Sequence, residues 1–102
     1  MDATPQLVKT LIDAELAAHP RDSRADRMLI EDFTRLRARH RPITVNIPGG
    51  LTRTGILVTR SNGDYTLVYM PEVGLFSLCV DSMFGPVDIG VHGPALLCFS
   101  AI

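Results

Sequence analysis

Tryptophan is absent from these 102 residues, and aromatic side chains account for only 6% of them. So sparse a set, with no basic stripe interleaved, gives no stacking platform for single-stranded nucleic acid, and such a partner is not expected. Cysteine is scarce too. Cys79 and Cys98 sit among Leu78, Val80, Leu97 and Phe99, a setting that suits buried free thiols and not a secreted disulfide scaffold. No apolar run approaches the roughly 18 residues needed to span a bilayer. Met1-Asp2-Ala3-Thr4-Pro5 also lacks the positive flank and apolar core of a signal peptide, so a cytoplasmic protein with no membrane partner is expected. An excess of one charge is missing as well: ten basic groups face eleven acidic ones for a net charge of -1, which argues against a polyanion-coating protein.

What is present is enough for a core. Hydrophobic residues make up 46% and charged residues 21%, a balance that excludes wholesale disorder. A chain of this size buries roughly two-thirds of its extended surface on folding. Residues 1–102 therefore read as a single α+β domain, with no internal repeat and no linker.

Charge divides that domain into layers. Residues 1–42 hold eight Lys or Arg and seven Asp or Glu, whereas 43–102 hold only Arg53, Arg60, Asp64, Glu72, Asp81 and Asp88. The first part reads as a solvated helical layer and the second as a β layer. Thr4-Pro5 is a good helix start, and Leu7, Val8, Leu11, Ile12 and Leu16 make one stripe that ends before His19-Pro20. Asp22 or Ser23 caps a second helix with Asp26 in a capping-box position, and Met28, Leu29, Phe33 and Leu36 form its apolar stripe. The pair is expected to form a helical hairpin.

Past Pro42 the period changes to two, with Ile43, Val45 and Ile47 on one face ahead of the Pro48-Gly49-Gly50 turn. The segments 55–60 and 65–70 flank Asn62-Gly63, a type I′ hairpin signal. That turn sets Ile56 opposite Tyr69, Leu57 opposite Val68, Val58 opposite Leu67, Thr59 opposite Thr66 and Arg60 opposite Tyr65. Both faces of the ribbon are then apolar, as in a hairpin covered on two sides. Residues 75–84 are read as a strand on the alternation of Phe76, Leu78 and Val80, against a competing helical stripe of Leu75, Phe76, Cys79, Val80 and Met83. Val87, Ile89 and Val91 alternate with Asp88, Gly90 and His92 as a one-sided strand. The apolar run from Ala95 to Ile102 must be packed. The architecture expected is an N-terminal helical hairpin on an antiparallel curved sheet or partial barrel.

For chemistry, Asp88 and His92 are the tempting pair, but four residues along a strand are about 13 Å apart, too far to share one ion. Ser82, Ser100, His92 and Asp81 offer the parts of a nucleophile triad without a Gly-x-Ser-x-Gly elbow, so no catalytic residue is assigned. Gly49 to Gly55 contains glycines, hydroxyls and Arg53, components of an anion cradle. It lacks the Lys then Ser or Thr of a phosphate loop and leads into a strand. Arg35, Arg37, Arg39, His40 and Arg41 gather at a helix C-terminus, where positive charge is favourable without any ligand.

The leading expectation is a non-catalytic protein-interaction module of the adaptor, regulator or inhibitor kind. It would dock a protein partner or associate with itself as a homodimer or larger oligomer through an apolar sheet whose surface includes Leu57, Val68, Met70, Phe76 and Phe99. The alternative is a small-molecule-binding domain or small enzyme whose pocket uses Arg53, Arg60, Tyr65, Tyr69 or His92. No metal or cofactor is called for by any motif.

Overall fold

The computed structural model describes residues 4–101; the first three residues of the sequence and Ile102 lie outside the described range. Helix α1 runs Thr4–Ala18 and α2 runs Arg24–Leu36. Five strands follow, β1 Pro42–Ile47, β2 Leu51–Leu57, β3 Tyr65–Met70, β4 Leu75–Ser82 and β5 Gly85–Gly93, and then a short helix α3, Ala95–Ser100. The strands close into one barrel in the order β1-β2-β3-β4-β5. All neighbouring pairs are antiparallel except the closing one, where β1 meets β5 in parallel through Asn46 and Val87. The α+β class and the N-terminal pair of helices on a curved sheet are as the periodicities indicated.

Helix α2 starts for a local reason, α3 for a distant one. Ser23 is the N-cap of α2, its hydroxyl accepting from the Asp26 N–H at 3.0 Å. Val8 and Ile12 of α1 are fully buried with Leu11 and Leu16 beside them, but Leu7 turns outward. Phe33 and Leu36 anchor α2 while Met28 stays exposed. Helix α3 has Pro94 at its N-cap and so no side chain of its own to accept the first N–H groups. Glu15 of α1 supplies that acceptor: its carboxylate takes the N–H of Ala95 at 2.8 Å and of Leu96 at 3.0 Å. The apolar run from 95 onward thus belongs to the helical layer and not to the sheet. Ala95, Leu96, Cys98 and Phe99 are buried, and the Phe99 ring meets Phe33 edge-on with centroids 5.3 Å apart.

The two faces of the β3 ribbon go to two separate cores. Leu67 and Tyr69, with Ile56, Val58, Phe76 and Leu78, lie under the three helices. Val68 and Met70 point into the barrel with Val45 and Cys79, flanked by Ile43 and Ile47. Gly55 makes the barrel possible at this radius, since a Cβ there would stand 2.4 Å from Val68 Cγ1. Closure within one chain therefore covers the second apolar face.

Two registers differ from the alternation. At the β2–β3 hairpin, Ile56 pairs with Tyr69 and Leu57 with Val68, but Asn62 pairs with Tyr65, leaving Gly63 and Asp64 as the loop. Gly63 has φ +64° and Asn62 does not enter the left-handed region, which fits a turn with glycine at its first central position and not the type I′ turn at Asn62-Gly63. The pairs Thr59 with Thr66 and Arg60 with Tyr65 do not form. Segment 58–60 instead serves the end of α2: the Ala38 N–H donates to Val58 O at 2.8 Å and the Arg60 N–H to Leu36 O at 2.8 Å. Otherwise unpaired backbone groups at a helix terminus outweighed a continuous two-strand ladder. The second departure, in β5, creates the site below.

Candidate functional site

Strand β5 pairs with β4 as Cys79 to Asp88 and Leu78 to Val91, so Ile89 and Gly90 have no partner and bulge outward. Gly90 takes φ +84°, a conformation that favours glycine. The bulge reverses the expected one-sided strand: Asp88 turns in, only 8% exposed, and Ile89 turns out. It also shortens the path along the chain. His92 Nε2 lies 2.8 and 3.0 Å from the two Asp88 oxygens, not the 13 Å of a regular strand.

Asp88 is the hub of this bulge. Besides the His92 ring, its carboxylate accepts from the Gly90 N–H at 2.8 Å and the Ser77 hydroxyl at 2.9 Å. Burial works to raise its pKa, and the bonds from Gly90, His92 and Ser77 outweigh it, holding the carboxyl below its ordinary 3.8. Beside it, burial pushes the Cys79 thiol up to about 12, with the Asp88 and Asp81 charges acting in the same direction. That sulfur is a packing group and no nucleophile.

The order of these groups decides the chemistry. In a nucleophile triad the imidazole stands between hydroxyl and carboxylate. Here Ser77 is fully buried and donates to Asp88, which stands between it and His92. The other triad parts are occupied elsewhere: Ser82 braces a turn, Ser100 donates to Leu97 O, and Asp81 accepts from Ser61 and Thr66. Among the described residues no group of three or more His, Cys, Asp or Glu converges on a position for a metal ion. The network fixes the shape of β5.

Beside it lies an open cleft of about 440 Å³, lined by Ile47, Pro48, Val87, Ile89 and Gly90 with Asp88 and His92 at one side. The adjoining β4–β5 turn consists of Met83 and Phe84, 89% and 82% exposed. This tip is braced from several directions. Ser82 Oγ accepts from the Phe84 N–H at 3.1 Å and donates to Gly85 O at 2.7 Å. Across the barrel seam, Asn46 Nδ2 donates to Phe84 O at 3.0 Å and Pro86 O at 3.3 Å. Leu51, at the start of β2, is 66% exposed, and the segments 43–52 and 82–92 contain no charged residue but Asp88, with His92 as the one histidine.

The residues singled out in the sequence do not assemble into one pocket. Tyr69 is buried under the helices and packs on Phe76 at 5.0 Å between ring centroids. Tyr65 is half-buried against the same core. Arg60 reaches back to the carbonyl of Arg35 at the end of α2. Arg53 pairs with Glu72 at 3.4 Å, and the Gly49–Gly55 stretch is a turn followed by strand, not an anion cradle. His92 lines the cleft beside Asp88. Of the expected interaction surface, Val68, Met70, Phe76 and Phe99 are buried inside the chain and Leu57 is half-buried, because barrel closure and α3 cover them. Large apolar groups left outside are spread over the surface, Leu7, Met28, Val73, Leu75 and Leu97 among them, and Met83, Phe84, Ile89 and Leu51 are the ones at this part of the barrel. The reading of residues 75–84 as one strand includes Met83-Phe84, but Ser82 pairs with Gly85 and leaves the two as a turn, for which Gly85-Pro86 is the signal in the sequence.

Compared with known protein families, curated proteins and solved structures, the chain matches none.

Proposed function

We propose that this chain is a small non-catalytic protein-interaction module, of the adaptor, regulator or inhibitor kind, that docks through the apolar β4–β5 tip of its barrel. The observation that carries the reading is the Met83-Phe84 tip. Two large apolar side chains stand in water on a backbone that Ser82 and Asn46 hold in place. Fully burying one such side chain is worth about 1.5–3 kcal/mol, and a braced turn loses little further freedom when a partner covers it. Rigid aromatic anchors beside a cleft are the usual centre of a protein interface. The order of the network, with buried Asp88 standing between buried Ser77 and the exposed His92, favours this reading over an enzyme.

The test is a photo-crosslinking residue in place of Phe84, in the native cell, with the same residue at the exposed Lys9 as control. One protein species, identified by mass spectrometry, crosslinked from position 84 and not from position 9 is the expected result. No adduct from position 84, together with a metabolite that raises the melting temperature and loses its effect in His92→Ala, overturns the proposal in favour of ligand binding.

A further inference from the structure

We propose that the Asn62-Gly63 tip of the β2–β3 hairpin is a site of spontaneous deamidation, where the chain converts its own amide into a carboxylate and adds negative charge between the hairpin and α2. The chain has two asparagines, Asn46 and Asn62, and they stand in opposite surroundings. The Asn46 amide donates to Phe84 O at 3.0 Å and to Pro86 O at 3.3 Å, and the next residue is the branched Ile47 within β1. The Asn62 amide has no hydrogen-bond partner among the described residues. After it comes Gly63, exposed, with nothing within 4 Å of the place a Cβ would take. The Gly63 N–H donates to no acceptor among the described residues, and without a side chain that nitrogen is unshielded and free to turn.

Those are the reactants of an imide-forming step. The Gly63 backbone nitrogen gives up its proton and attacks Asn62 Cγ; the bond between them forms, the Cγ–Nδ2 bond breaks, and ammonia leaves with that proton. Water opens the cyclic imide at either carbonyl, giving aspartate or, with the backbone rerouted through the side chain, isoaspartate. The sum is amide plus water to acid plus ammonia. What restrains the step is the Asn62–Tyr65 bridge, two backbone bonds of 2.7 and 3.2 Å lying beyond the end of β2 at Leu57, and isolated pairing of that kind opens locally. The new charge has a definite setting. Asn62 lines an open cleft of about 330 Å³ with Asp26, Leu29, Asp32 and Phe99. Asp32 has Arg35 at 3.2 Å and Asp26 has the His19 ring at 3.2 Å. A carboxylate at position 62 is a third acid on this cleft, next to exposed Asp64, and repels the hairpin tip from α2.

Peptide mapping of both asparagines over time tests this, with the full chain held folded at mildly alkaline pH and a parallel sample in urea. Position 62 is expected to convert to aspartate and isoaspartate in the folded chain within roughly tenfold of its rate in urea, as a locally opening tip allows, while position 46 stays intact under its two hydrogen bonds. Position 62 remaining an amide in the folded chain while the urea sample converts overturns the proposal. The consequence is read with Asn62→Asp, the mimic of the direct product, against Asn62→Ser. The aspartate variant is expected to melt at a lower temperature at low salt, with the gap closing as salt screens the cleft. Equal melting at every salt concentration overturns the repulsion.

Discussion

His40, between α2 and β1, carries a buried Nε2 with no hydrogen-bond partner among the described residues. Burial, then the nearby Arg37 charge, hold its pKa below the ordinary 6.5, opposed by a backbone hydrogen bond at Pro5 and by Asp13, with Lys9 adding slightly. The unfolded chain accordingly takes up a proton at a pH where the folded chain still refuses it. Stability then rises with pH across the interval between the lowered value and 6.5, and falls as pH drops through it. Urea titrations stepped through that range are expected to show this slope in wild type and to show it diminished in His40→Gln. Asp88 acts lower on the scale: with its pKa held below 3.8, its contribution is present above that value and is lost as pH falls toward the folded pKa. The two are separable by range. At this scale the sequence named the participants and not their company. Asp88 and His92 were visible as a pair, but their 2.8 Å contact depends on a bulge, and Tyr69 and Arg60 were drawn into core and helix end by demands from elsewhere in the chain.

Among the elements, those read most securely were set by local periodicity. The stripes of α1 and α2, the alternation of β1 and β4, and the Ile56–Tyr69 and Leu57–Val68 pairs all follow from side chains a few residues apart. The missed features depend on partners distant in sequence. The hairpin tip moved one residue toward Gly63-Asp64 because α2 claimed segment 58–60, and β5 bulged where Gly90 tolerates positive φ and Asp88 finds Ser77 on the neighbouring strand. Helix α3 was hidden for the same reason: its N-terminal N–H groups are accepted by Glu15, some eighty residues earlier. Glu15→Ala is expected to destabilise the fold by about 1–2 kcal/mol, the range for losing an N-terminal cap that bonds two backbone donors. Chemical denaturation measures it. Glu15→Gln, which keeps an acceptor oxygen, should recover part of the loss, whereas Lys9→Ala, which breaks only an exposed pair with Asp13, should change little.

Taken whole, the molecule answers its two-faced ribbon by closing it. One face lines the barrel and the other lies under three helices, so β3 and β4 hold the most protected backbone. The seam between β1 and β5 is narrower, with a single paired position at Asn46 and Val87. Native-state hydrogen exchange is therefore expected to be slowest at Leu67, Val68, Leu78 and Cys79 and faster along β1 and the outer half of β5. Uniform protection around the barrel would contradict a seam closed at one point. The sequence stated that both faces needed covering and did not say how, because closure depends on strand tilt and on the space Gly55 leaves, neither of which is carried by local pattern. Among the described residues no helix is long and apolar enough to cross a membrane.

The bond between Glu15 and the start of α3 also orders events in time. Glu15 leaves the ribosome about eighty residues before Ala95 and Leu96, so throughout synthesis of the barrel its carboxylate has only water to hold. The nascent helix α1 likewise lacks part of its eventual neighbour set. A chain ending at Gly93 would keep all five strands beneath a roof still open over Phe33.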